Sequence, residues 1–131
     1  MALNGYLLIT GLVFAALGLY TLVDPQGAMN AGGLGMQLEA TAAWSQMRGA
    51  GGGVTLAIGL LLMAALTRDH LERPALWAVV AVLGGLEAGR VVSIFVDGMP
   101  PPNVAVGMLF ENLGLWQAVY WLGQPGPGTT D

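Results

Sequence analysis

ALWAVVAVLGGLEAGRVVSIFVD, residues Ala75–Asp97, is an apolar run interrupted by one acid and one base. Its length suits a bilayer crossing, which needs roughly 20 predominantly apolar residues. A charge placed in hydrocarbon costs at least about 2.5 kcal/mol, so it rarely sits there without a partner or a function. Glu87 and Arg90 are three apart and share a helix face, where each partly neutralises the other. At 100° per residue, Leu83, Glu87, Arg90, Ile94 and Asp97 fall on one side. Gly85, Gly89, Val92 and Val96 fall on the other, and a small-xxx-small pair such as Gly85 and Gly89 lets a second helix approach closely. The segment therefore reads as a membrane helix that expects protein on both faces, inside a bundle with a charged interior.

Composition agrees. Of 131 residues, 55% are hydrophobic and only 9% are charged, against about a quarter charged in soluble domains. The formal charge of −4 comes from acids scattered along the chain and names no partner. Without cysteine, disulfides, thiolate metal sites and thiol nucleophiles are excluded. All four basic residues are arginines, so Schiff-base chemistry is excluded too. His70 is the sole histidine and lies in a polar loop, so no metal, haem or other cofactor is expected within the bundle. Basic patches interleaved with aromatics are absent, so no nucleic-acid partner is expected.

Three further apolar runs flank the central one. Gly5–Val23 is the first, ended by Asp24-Pro25, because proline disfavours helical geometry in the residue before it. Arg48 opens the next, RGAGGGVTLAIGLLLMAAL, whose glycines point to close helix packing. Val104–Leu122 is the last, interrupted by Glu111 and Asn112. The expected fold is an all-α integral membrane protein: a four-transmembrane-helix bundle over residues 1–123 with a disordered tail over 124–131. A short interfacial helix is expected in the first outer loop, in MQLEATAAWSQM. The loop Thr67–Pro74 holds two of the four arginines, which places it and both termini in the cytoplasm, with the protein in the inner membrane. Trp77, Trp116, Tyr120 and Trp121 then form an aromatic belt at that end. Pro100, Pro101 and Pro102 predict an extended outer turn.

Depth along the helices brings the charges together. Arg90 is seven residues inside Asp97 and Glu111 seven inside Val104, so each lies about 10 Å below the outer surface. Glu87 is about one turn deeper, and Arg48 is expected at the outer mouth. Two arginines and two glutamates thus converge on the outer half of the bundle with zero net charge, and Asp97 and Asn112 complete the candidate ligand site. A buried ion-pair network that fixes helix register is the plain structural explanation, but four full charges are an expensive way to fix register. Read as chemistry, Arg90 offers a planar fork of donors for an anionic or oxygen-rich group. Glu111 is the candidate proton donor, because an apolar helix favours its neutral form. Glu87 serves as counterion to Arg90. A proton donor facing an arginine suits acid-assisted isomerisation, cyclisation or hydrolysis of a lipophilic, oxygen-bearing molecule.

The whole chain, over roughly residues 5 to 122, resembles a small bacterial four-helix family known only as domain-of-unknown-function family 4345. The resemblance rests on Asp24-Pro25, Arg48 with Gly52-Gly53, Gly89-Arg90, Asp97-Gly98 and Glu111, in that order. It departs at Gly51, where an aromatic usually stands, and Glu87 matches no family motif. The resemblance implies a fold and candidate positions, not a reaction. In layout the chain also resembles four-helix membrane epoxide isomerases, which are haem-binding trimers, although the histidine such a haem needs is missing. Two main readings follow: an enzyme acting on a lipophilic small molecule drawn from the lipid bilayer, or a non-catalytic accessory or assembly subunit of a homo-oligomer or larger membrane complex. A proton-coupled carrier is the weakest reading, since no internal inverted repeat is visible.

Overall fold

The computed structural model describes residues 2–125, all helix, turn or extended connection, with no strand among them. The tail expected over 124–131 therefore lies almost wholly outside the described residues. Helix α1 runs Leu3–Val23, and Asp24 then accepts from the Gly27 N–H at 2.9 Å to start α2, Pro25–Ala31. Proline suits the first helical position, where its missing N–H would have no partner in any case. Helix α3, Thr41–Gln46, passes without a break into a π-helical segment, Met47–Gly53, and then into α4, Val54–Ala65. A 3-10 turn at Asp69–Leu71 leads into α5, Glu72–Asp97, and α6 spans Pro102–Leu122.

Three helices are long and apolar enough to cross a membrane: Leu3–Val23, the continuous rod Thr41–Ala65, and Asp69–Asp97. Helix α6 is as long as α1, at 21 residues, but Glu111, Asn112 and Gln117 dilute its apolar character. Several boundaries differ from the sequence expectation. The second rod begins at Thr41, not Arg48, so MQLEATAAWSQM supplies its first turns, and the short helix of that loop is instead α2. Helix α5 begins at Glu72, since Pro74 is tolerated in a first turn. Pro102 opens α6 for the same reason.

The helices associate as two pairs, α1 with the second rod and α5 with α6. In the first pair, glycines remove the side chains that would separate the backbones. A Cβ at Gly18 would lie 2.7 Å from the Leu56 Cα, and one at Gly59 would lie 2.9 Å from the Ala15 Cα. The π segment extends the same packing, since a Cβ on Gly52 would meet Leu22 at 2.8 Å. The pairs join at one end, where Tyr6, Leu7, Leu62, Ala65, Ala75, Leu76, Val79 and Ala118 form a continuous core. There the Tyr6 hydroxyl donates to the Gly114 carbonyl at 2.9 Å, tying α1 to α6. Toward the other end the core stops, and the C-terminal half of α5 stands clear of α1, with Phe95 85% exposed.

The close approach expected at Gly85 and Gly89 is absent. Among the described residues, nothing beyond the local helix backbone lies within 4 Å of a Cβ built at either position. The spacing marks a stretch of α5 open to close approach, but among the described residues no helix lies against it.

Candidate functional site

The upper halves of α5 and α6 meet through charge. Arg90 donates from Nη1 to Glu87 Oε1 at 3.0 Å on its own helix, and from Nη2 to Glu111 Oε1 at 3.1 Å across to α6. A further hydrogen bond joins Nη1 to Glu111 Oε2, so the Arg90–Glu111 pair is bidentate. Such fork-on-fork pairs combine charge with fixed geometry. The side chains of Arg90, Glu87 and Glu111 are 25%, 14% and 30% exposed, so the cluster is neither sealed in a core nor free in solvent. Three of the five N–H donors of the guanidinium are used by these bonds.

Beside the cluster lies an open groove of about 310 Å³ between the ends of α5 and α6. Arg90, Ser93 and Asp97 supply its polar edge, and Ile94, Met99, Pro100, Val104 and Met108 its apolar walls. Ser93 donates to Asp97 Oδ2 at 2.7 Å, one turn along the same face of α5. At the mouth, Gly98 turns the chain with a φ of 96°, a conformation that favours glycine. Asn103 donates to the Gly33 carbonyl at 3.3 Å and so ties the start of α6 to the long first loop.

The expected site residues divide between two places. Arg90, Glu111 and Glu87 come together, and Asp97 shares the groove with Arg90. Asn112 does not join them, because its amide donates to the Met108 carbonyl one turn back on α6 at 2.9 Å. Arg48 is elsewhere. Its Nε donates to the Leu22 carbonyl at 3.0 Å, and its guanidinium carbon lies 5.7 Å from the Trp44 ring centroid. It is a cap for the carbonyl end of α1, reinforced by cation–π contact. Without Arg48 the cluster of two acids and one base carries one surplus negative charge instead of balancing to zero. The roles of the two glutamates also change, since Glu111 is the principal counterion of Arg90 and Glu87 the lesser one. The groove walls escaped the sequence reading, although Val104, Met108 and Glu111 follow helical spacing and share a face of α6.

The result is a small helical protein with three helices long and apolar enough to cross a membrane and a charged cluster between α5 and α6. The chain belongs to a family whose model matches residues 2–122 and is described as a domain of unknown function, DUF4345. No curated protein and no solved structure matches the chain.

Proposed function

We propose that this is a four-span membrane protein, with α6 as its fourth span, that binds a lipophilic small molecule in the groove between α5 and α6. The observation that carries the reading is the Arg90–Glu111 pair, which stands partly exposed beside apolar walls at a depth where charge is otherwise avoided. A ligand would enter sideways from the bilayer, since the groove is open and the outer surface of both helices is apolar. With Thr67–Pro74 in the cytoplasm, the groove belongs to the outer leaflet. A Cys placed by Asp69→Cys should then resist a membrane-impermeant thiol reagent in intact cells, while one placed by Met99→Cys should react. The reverse pattern would invert the orientation.

The binding test uses a neutral dodecyl-chain fluorophore titrated into nanodiscs of zwitterionic lipid. Wild-type protein should add a saturable component to its fluorescence. Met108→Trp, which fills the groove, should remove that component, and Leu109→Trp, on an exposed side of α6, should keep it. Equal binding by both variants would sink the groove as a ligand site. In the enzymatic form of this reading, Glu111 is the proton donor and Arg90 holds the substrate oxygen. Both Glu111 oxygens engage Arg90, so proton donation requires that pair to open. Glu111→Gln should then abolish turnover while keeping probe binding.

A second reading, an assembly subunit, is favoured by one specific observation: the open face at Gly85 and Gly89 suits a close helix, and none of the described residues covers it. Another copy of the protein is the simplest candidate to cover it.

A further inference from the structure

We infer that the polar end of the groove is built for a cation, so that the ligand is a lipophilic ammonium compound whose charged head sits at the carbonyl end of α5. This inference rests on the groove being a ligand site, and it reverses the expectation that Arg90 anchors an anion.

The argument begins with how each long helix ends. The last four carbonyls of a helix have no partner within it and carry the negative pole of its dipole. Helix α1 ends on Arg48, which donates to the Leu22 carbonyl, and α6 ends on Arg73, whose Nη2 donates to the Leu122 carbonyl at 3.3 Å. The Thr67 hydroxyl serves α4 in the same way, donating to the Ala64 carbonyl at 3.2 Å. Helix α5 has no such partner. No basic residue lies in its last turn, and among the described residues no hydrogen bond from outside the helix reaches its final carbonyls. The chain that follows is DGMPPPN, in which Pro100, Pro101 and Pro102 have no N–H to give. The helix closes instead on Asp97, an acid where the dipole favours a base.

Charge within the groove points the same way. Among the described residues Arg90 is the one basic residue lining it, and its charge is already answered by Glu87 and Glu111. Asp97 adds a further carboxylate whose only hydrogen bond among the described residues comes from the neutral Ser93 hydroxyl. An anionic head would thus meet surplus negative charge and uncapped carbonyls, whereas a cation meets the partner that α5 lacks. The cation is organic, not a bare metal ion. No three acidic or histidine side chains among the described residues converge tightly enough to hold a metal, and the remaining walls are Ile94, Met99, Pro100, Val104 and Met108. A cavity of about 310 Å³ is at the small end for ligand pockets, enough for a head group and its first carbons. The rest of the chain would lie along the exposed apolar surface of α5 and α6.

Competition against the neutral dodecyl fluorophore in nanodiscs tests this, using dodecyl chains with trimethylammonium, maltoside and sulfate heads. The ammonium compound should displace the probe at about tenfold lower concentration than the sulfate, the effect of one partly screened charge contact. Asp97→Asn should remove most of that advantage and leave the maltoside unchanged, while Asp97→Glu should preserve it. Preference for sulfate, or an ammonium advantage that survives Asp97→Asn, overturns the inference while leaving the groove as a ligand site. Displacement by magnesium chloride as effective as by the ammonium head also overturns it, in favour of inorganic cations. Absence of any saturable probe binding that Met108→Trp removes defeats the underlying groove reading itself.

Discussion

Where α1 meets the rod Thr41–Ala65, backbones come together because side chains are missing: Gly11, Gly18, Gly52 and Gly59 each leave space that the other helix fills. Where the C-terminal half of α5 meets α6, contact depends on Glu87, Arg90 and Glu111, and among the described residues nothing packs against Gly85 and Gly89. Both pairs are rich in glycine and apolar residues, yet they are held differently. Close backbone packing is additive dispersion spread over many atoms, and it leaves no room between helices. A single charged cluster is directional and local, so beyond the shared core it pins the two helices at one level and leaves open space beside it. The groove beside Arg90 follows from the second arrangement. The first pair is the tightly packed part of the molecule, and the second is where the proposed binding site lies, in line with the general tendency of binding regions to come from the less stably packed parts of a structure.

The sharpest way to break this contrast is to put a side chain into the scaffold. Gly59→Leu would drive its Cβ into the Ala15 backbone, where even a methyl group lies 2.9 Å from the Cα. Overpacking of this kind, with backbone and not a flexible side chain as the obstacle, should cost about 3 kcal/mol or more. Loss of a monodisperse folded species in detergent, followed by size exclusion and circular dichroism, is the expected result. A well-folded Gly59→Leu would mean that the first pair is as loosely held as the second.

The charged pair makes a different prediction. Arg90→Leu leaves Glu87 and Glu111 facing each other without a cation and should destabilise the protein by about 3 kcal/mol. Adding Glu111→Leu to that variant should recover most of the loss, because an ion pair replaced whole by apolar residues is often neutral. Thermal melts of the single and double variants form the cycle. If the double variant is worse than the single, Glu111 has a structural partner besides Arg90 and the cluster is not the isolated fastening described above.

The contrast also explains which features were legible in the sequence. The face Leu83, Glu87, Arg90, Ile94 and Asp97 was readable because it is a property of one helix and needs only its period. Arg90 and Glu111 could be matched in depth because both are counted from the same short turn, with α5 ending at Asp97 and α6 starting at Pro102. Arg48 could not be placed this way. Counting gave its depth but not its direction, and it lies in a π-helical segment where 100° per residue no longer holds. The glycines show the same limit. Gly18 and Gly59 pack while Gly85 and Gly89 do not, and nothing in the local spacing separates them, because a missing side chain is informative only once the opposite backbone is known. Helix α6 is weakly marked as a span for a related reason: the polar residues in it, Glu111 above all, are those that lower its hydropathy.

The smallest expected effect is also the one that separates the two readings of the open face. A Cβ at Gly85 meets nothing within 4 Å beyond its own helix backbone, so Gly85→Leu should change the stability of a single copy by less than about 0.5 kcal/mol. If lipid covers this face, leucine is as welcome there as glycine, and the oligomeric state by light scattering in nanodiscs should not move. If a second copy covers it, the closeness that glycine permits is lost, and the assembly should dissociate while each copy keeps its thermal transition. Gly18→Leu cannot serve as a substitute, because it disrupts the scaffold and the assembly together. Charge argues against a second copy placed directly over the cluster, since two copies would bring together two surplus carboxylates. An oligomer built on Gly85 and Gly89 avoids this, because those residues lie on the side of α5 away from Glu87 and Arg90. Dissociation by Gly85→Leu with probe binding retained would therefore assign the two faces of one helix to two tasks, assembly on one and ligand on the other.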